Sequence, residues 1–137
     1  NTLQLKTITN FDMQRSSYHG QCLCGQITFE ADSFKTAMAH CHCSMCRKFH
    51  GAAFSTFGEV KREHLQWISG VELLSHFHAR NDTTRSFCRH CGSSLLFESK
   101  FNREAATVEI ALAAFDDIDD VNPDAHIYTE SKIILLS

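Results

Sequence analysis

Cys41-His42-Cys43-Ser44-Met45-Cys46 packs three cysteines into six residues. Four more cysteines stand apart from it, Cys22 and Cys24 as Cys-x-Cys upstream and Cys88 and Cys91 as Cys-x-x-Cys downstream. Zn²⁺ takes thiolate ligands and favours a tetrahedron; a structural ion is closed by four protein ligands, whereas a catalytic one keeps a position open. Cys22, Cys24, Cys88 and Cys91 supply a closed set that ties the start of the domain to its centre. Cys41, Cys43 and Cys46 then form a second set of three, with room for a substrate thiol or a polarised aldehyde oxygen. The expectation is two zinc ions per chain, one structural and one catalytic. His40, His42, His50 or His90 would close the second site if one of them served as a fourth ligand. A zinc ribbon from Cys43, Cys46, Cys88 and Cys91 is another pairing, but its central gap far exceeds the usual spacing of about 15–20 residues.

Composition narrows the classes. The 137 residues suit a single domain with a buried core, and 43% of them are hydrophobic, which argues against disorder. With 13 basic and 16 acidic residues the formal charge is −3, so there is no electrostatic footprint for nucleic acid. No run of apolar residues reaches the length of a membrane span. Residues 1–17 carry no continuous apolar stretch and do not read as a secretory signal. A cytoplasmic, reducing location is therefore expected, where clustered cysteines serve metals rather than disulfides. Seven is also an odd number, so full disulfide pairing within one chain is excluded.

Working outward, residues 1–17 are expected to be a lead or an edge strand, and residues 18–137 a single zinc-binding domain. Gly20 and Gly25 flank a tight turn bearing Cys22 and Cys24. Apolar–polar alternation over Gln26–Ala31 predicts a strand, and a further strand over 34–40 leads into Cys41. Ser44–His50 suits one or two helical turns closed by Gly51. Short strands are expected over 52–60, 65–68, 71–79, 93–99 and 106–115, with a helix over 105–115 as the alternative for that alanine-rich stretch, while 83–88 runs into the last cysteine pair. Asn81-Asp82 is a turn and Asp116–Asp120 a solvated acidic loop without the ligand pattern of an EF-hand. Most of the eleven Phe and Trp67 are assigned to the core. The sum is a mostly β domain of several short antiparallel strands with one or two helical turns.

Three ordered motifs carry a resemblance: Gly20-Gln21-Cys22-Leu23-Cys24-Gly25, Cys41-His42-Cys43-Ser44-Met45-Cys46-Arg47-Lys48 and Phe87-Cys88-Arg89-His90-Cys91-Gly92. With His126-Ile127-Tyr128-Thr129-Glu130-Ser131-Lys132, they resemble the glutathione-dependent formaldehyde-activating enzyme family over about residues 18–132. The resemblance implies an Mss4-like zinc-binding fold. It also implies a structural ion on Cys22, Cys24, Cys88 and Cys91 and a catalytic one on Cys41, Cys43 and Cys46. The implied reaction is the joining of glutathione to formaldehyde, a carbon–sulfur lyase chemistry whose partners are a small-molecule thiol and an aldehyde. Where members often carry Gly-x-Leu-Asp-Asp, this chain has Ala113-Ala114-Phe115-Asp116-Asp117. The alternatives are a zinc-stabilised binding module and a family member without lyase activity.

Overall fold

The structure is a computed structural model and describes residues 17–34, 39–118 and 126–133. The lead expected over 1–17 lies outside the described residues apart from Ser17, as do most of the strand expected over 34–40 and the end of the acidic loop at 119–120. The described chain is mostly β, as expected.

Its first strands, β1 (Tyr18–Gln21) and β2 (Thr28–Ala31), form an antiparallel hairpin, and β5 (Leu65–Ser69) adds to β2 to complete a three-stranded sheet. The second sheet has seven strands. In chain order they are β3 (Ala39–Cys41), β4 (Ser55–Lys61), β6 (Leu74–His78), β7 (Thr84–Cys88), β8 (Ser94–Glu98), β9 (Thr107–Ala111) and β10 (His126–Ile127). Their spatial order is β10-β3-β4-β9-β8-β7-β6. One pair departs from the antiparallel expectation: β10 runs parallel to β3, with Ile127 opposite Cys41.

Two helices join them. α1 (Ser44–His50) ends where expected, with Gly51 in the left-handed region at φ 61° and its N–H donating to the Arg47 carbonyl. Arg47, Lys48 and His50 in the last turn complement the negative end of the helix dipole. α2 (Lys100–Ala105) was not expected. Ser99 caps it: the Ser99 hydroxyl accepts from the Asn102 N–H at 3.2 Å and the Asn102 side chain accepts from the Ser99 N–H at 2.8 Å. The helix proposed as an alternative over 105–115 does not form, because Thr107–Ala111 pairs on both sides, with β4 and β8.

Alternation splits the long sheet into two faces. Val60, Val108 and Ile110 point to a core shared with the hairpin, where Tyr18, Phe29, Phe34 and Phe115 pack edge to face or tilted at 5.2–6.3 Å. Full burial of a side chain such as Phe29 contributes about 2–3 kcal/mol. Phe115, the large residue in the Ala-Ala-Phe segment, belongs to this cluster. Not every aromatic is internal: Phe54, Phe77 and Phe101 are exposed. The register gives the opposite face of the sheet a different character. Cys41 faces Ser55, Glu59 faces Glu109, Glu109 faces Phe97 and Phe97 faces Arg85, so these residues lie in one band across five strands.

Candidate metal centre

The turn after β1 and the turn after β7 meet. Cys22 accepts at its carbonyl from the Gly25 N–H at 3.0 Å and at its sulfur from the Ile27 N–H at 3.4 Å. The second turn is closed by the Gly92 N–H donating to the Cys88 carbonyl at 2.7 Å. Gly25 at φ 81° and Gly92 at φ 83° take the left-handed conformation that folds each turn back toward its cysteines, where a Cβ would be strained. Ser93 links the turns: its hydroxyl accepts from the Leu23 N–H at 2.7 Å and lies 3.3 Å from the Cys91 sulfur. The Cys24 N–H donates to Cys91 at 3.4 Å.

All four sulfurs lie within 4.8 Å of one another, with Cys22–Cys24 at 3.5 Å and Cys24–Cys88 at 4.0 Å. Sulfurs at about 2.3 Å from a tetrahedral zinc stand about 3.8 Å apart, so the set fits that ion. The thiols also cannot all ionise at such distances without a cation. The Gln26 N–H favours the Cys24 thiolate, but burial and its three neighbouring thiols outweigh it and push Cys24 up to about 12. Burial pushes Cys91 up as well, yet hydrogen bonds at Ser93 and Cys24 prevail and bring it down to about 5. The ribbon pairing is not what forms, since Cys88 and Cys91 meet Cys22 and Cys24.

The three-cysteine motif is built differently. Cys41 ends β3, Cys43 precedes the first turn of α1 and accepts at its carbonyl from the Arg47 N–H at 2.9 Å, and Cys46 is buried in that helix. β10 locks the segment from the other side, with the His42 N–H donating to the Ile127 carbonyl at 2.9 Å. All three cysteines line one cavity of about 700 Å³. Among the described residues, however, only the four-cysteine set is drawn together as a metal-holding group, and Cys41, Cys43 and Cys46 are more loosely gathered. None of the four candidate histidines lines this cavity. His50 lies by a different cavity, beside Phe57, and burial followed by the Arg85 charge lowers it to about 4.

Arg85, which the sequence did not flag, faces the motif. It is 4% exposed, packs over Phe97 at 4.8 Å and Phe49 at 5.5 Å, and aims two guanidinium N–H groups at the Cys46 sulfur, each at 3.7 Å. A hydrogen bond from Cys41 lowers Cys46 most; burial opposes this, and Arg85 adds to the lowering, leaving Cys46 at about 5. Cys41 is pushed strongly up, first by that same bond and then by burial. A buried guanidinium is costly unless an anion meets it. The Cys46 sulfur is the group that its N–H donors reach.

Residues 17–131 match the glutathione-dependent formaldehyde-activating enzyme family. The chain belongs to this family. An uncharacterized lyase of Schizosaccharomyces pombe is 25% identical over 115 residues, which cover 84% of this chain and 80% of that protein. A crystal structure of a Rhodobacter sphaeroides protein shares the fold at a TM-score of 0.65 and 20% identity, covering 79% of this chain and 98% of the other. Family membership brings a lyase class, and the four-cysteine group can hold a metal ion. No helix among the described residues is long and apolar enough to cross a membrane.

Two more residues of the three-cysteine cavity went unnoticed in the sequence, Glu59 on β4 and Glu109 on β9. The available signal was phase: each is an acidic residue that alternates with core-facing residues of its strand. In Thr107–Ala111 the pattern places Glu109 between Val108 and Ile110, on the face they do not use.

Proposed function

We propose that the protein joins a thiol, glutathione or a similar one, to formaldehyde or a related small electrophile at the cavity of Cys41, Cys43 and Cys46. Family membership and the lyase relative support the class of reaction. The observation that carries the site is the convergence of three cysteines and a buried arginine on one cavity. A zinc ion bound there would supply an electrophilic position for a thiolate or an aldehyde oxygen. Cys22, Cys24, Cys88 and Cys91 would hold a second zinc whose role is structural.

The chain's own groups have separable roles in this reading. Three thiolates on one divalent ion leave a charge of −1, and Arg85 offsets it from the Cys46 side. Phe57 and Phe97 wall the cavity and, with Phe101 at its rim, limit water around the reacting carbon. Tyr128, held in the left-handed region at φ 56° after β10, brings a phenol to the same cavity. The test is to load the reduced protein with zinc and follow condensation of glutathione with formaldehyde by NMR. A rate above the spontaneous one is expected; an unchanged rate with glutathione and with other thiols would overturn it.

A second reading is a family member without lyase activity, stabilised by a single zinc at the four-cysteine centre. The looser gathering of Cys41, Cys43 and Cys46 favours it. Metal analysis separates the two, since two zinc ions per chain are expected for the enzyme and one for the inactive member.

A further inference from the structure

Glu59 and Glu109 are direct cross-strand partners. Like charges placed opposite each other destabilise a sheet, by roughly 0.2–1 kcal/mol even on an open surface. Here both side chains are half-buried, and among the described residues neither makes an ion pair with a basic group. Both line the cavity of the three cysteines.

Their positions are fixed from behind. The Thr107 hydroxyl donates to Glu59 Oε2 at 2.7 Å and accepts from the Asn102 amide at 2.9 Å. Asn102 is oriented in turn by Ser99, whose N–H and hydroxyl donate to its Oδ1 at 2.8 and 2.9 Å. Thr107 is 1% and Asn102 3% exposed, so this chain of bonds is sheltered from water. It gives a physical purpose to the capping box of α2, which orients Asn102 toward the carboxylates.

We propose that Glu59 and Glu109 form a proton-holding dyad for the reaction at the three-cysteine cavity. The inference rests on the thiol–aldehyde reading above. In that reaction the sulfur electron pair forms the S–C bond, the C=O π pair moves to oxygen, the thiol loses a proton and the new hydroxyl gains one. No net proton enters or leaves, so a group that stores it in transit is what the chemistry needs. The Glu109 carboxyl delivers a proton to the aldehyde oxygen, and the dyad recovers one from the incoming thiol.

The surroundings suit this role. Burial raises Glu109 most, the Asn102 hydrogen bond opposes it, and the charges of Glu59 and Cys46 raise it further. The other charged or titratable groups that face the dyad are Arg85 from β7, Lys100 from α2, Cys41 and Cys43 flanking α1, and Tyr128 after β10. Arg85 is directed at Cys46. Because Glu109 is raised, the donor form is present below its folded value and is lost as pH climbs through it.

The test compares zinc-loaded wild type with Glu109→Gln and Glu59→Gln, recording rate, metal content and carboxyl protonation. Glu109→Gln is expected to lower kcat about 100-fold, with KM and zinc content little changed and the descending alkaline limb of the pH profile gone. Glu59→Gln, which removes one of the charges that add to the effect of burial on Glu109, is expected to shift that limb to lower pH. By infrared titration, wild type should keep a protonated-carboxyl C=O band above the ordinary glutamate range of about pH 4.3, absent in Glu109→Gln. An active wild type whose two variants keep its rate and pH profile would overturn the dyad. So would the absence of the raised carboxyl band, which is read without any turnover. Failure of wild type to accelerate condensation would instead strike the proposed reaction, leaving the infrared band to decide whether the dyad exists.

Discussion

The two cysteine groups differ in what surrounds them. Around Cys22, Cys24, Cys88 and Cys91 the neighbours are backbone N–H groups and one serine, and the sulfurs are already within 4.8 Å of each other. Around Cys41, Cys43 and Cys46 they are charged side chains, aromatic rings and a cavity of about 700 Å³. A cavity of about 730 Å³ also borders Cys22 and Cys91, but four sulfurs held by backbone donors leave no coordination position open on a tetrahedral ion. A cavity with Arg85, Glu59 and Glu109 offers charge and space but less rigid gathering of the sulfurs. The first arrangement suits a staple and the second suits chemistry.

If that contrast is right, removing a cysteine has opposite consequences at the two centres. Cys88→Ser should destabilise the domain by at least about 3 kcal/mol and lower Tm by roughly 10 °C, measured by circular dichroism. A melt that barely moves would break the comparison at its stronger end. Cys43→Ser should leave Tm within a few degrees yet reduce thiol–aldehyde condensation by at least about 100-fold, which is about 2.7 kcal/mol of barrier. Cys43 is the cleaner probe of its centre, because losing the Cys46 sulfur would also leave the buried Arg85 without the acceptor its N–H groups meet.

His50 sharpens the comparison from the side of pH. Its imidazole is kept neutral in the fold down to about 4, whereas an unfolded histidine takes up a proton near the ordinary value of 6.5. The unfolded chain therefore binds more protons between these values, and stability should fall as pH drops through that window, by on the order of 2 kcal/mol after allowance for partial exposure. His50→Gln should flatten this acid slope in urea melts taken from pH 7 to 4. The smallest effect belongs to the staple's turn. Gly92→Ala, at φ 83°, should cost about 1 kcal/mol with activity retained. A large loss of activity in that variant would mean that the two centres are not separable.

The cysteine pattern was legible because ligand spacing is local: Cys-x-Cys and Cys-x-x-Cys need only a tight turn each, and glycines mark both turns. The α1 boundary was legible for the same reason, through Gly51. Arg85, Glu59 and Glu109 were not, since they reach the cavity only through the strand order β3-β4-β9-β8-β7 and its register, which no single stretch encodes. α2 escaped notice because its capping box uses Asn102 where Glu or Gln is the usual third residue. The parallel pairing of β10 with β3 joins Ile127 to Cys41 across most of the chain, so the resemblance of the His-Ile-Tyr element could suggest its importance without its position. In 71–79 the strand begins three residues later than its apolar pattern, because Gly70 in the left-handed region opens a 3₁₀ turn over Val71–Leu73.

The most direct measurement is zinc per chain, counted by native mass spectrometry on reduced wild type and on Cys43→Ser. Two ions in wild type and one in a still-folded Cys43→Ser are expected. One ion in both proteins would contradict the division of the seven cysteines into a staple and a reaction centre.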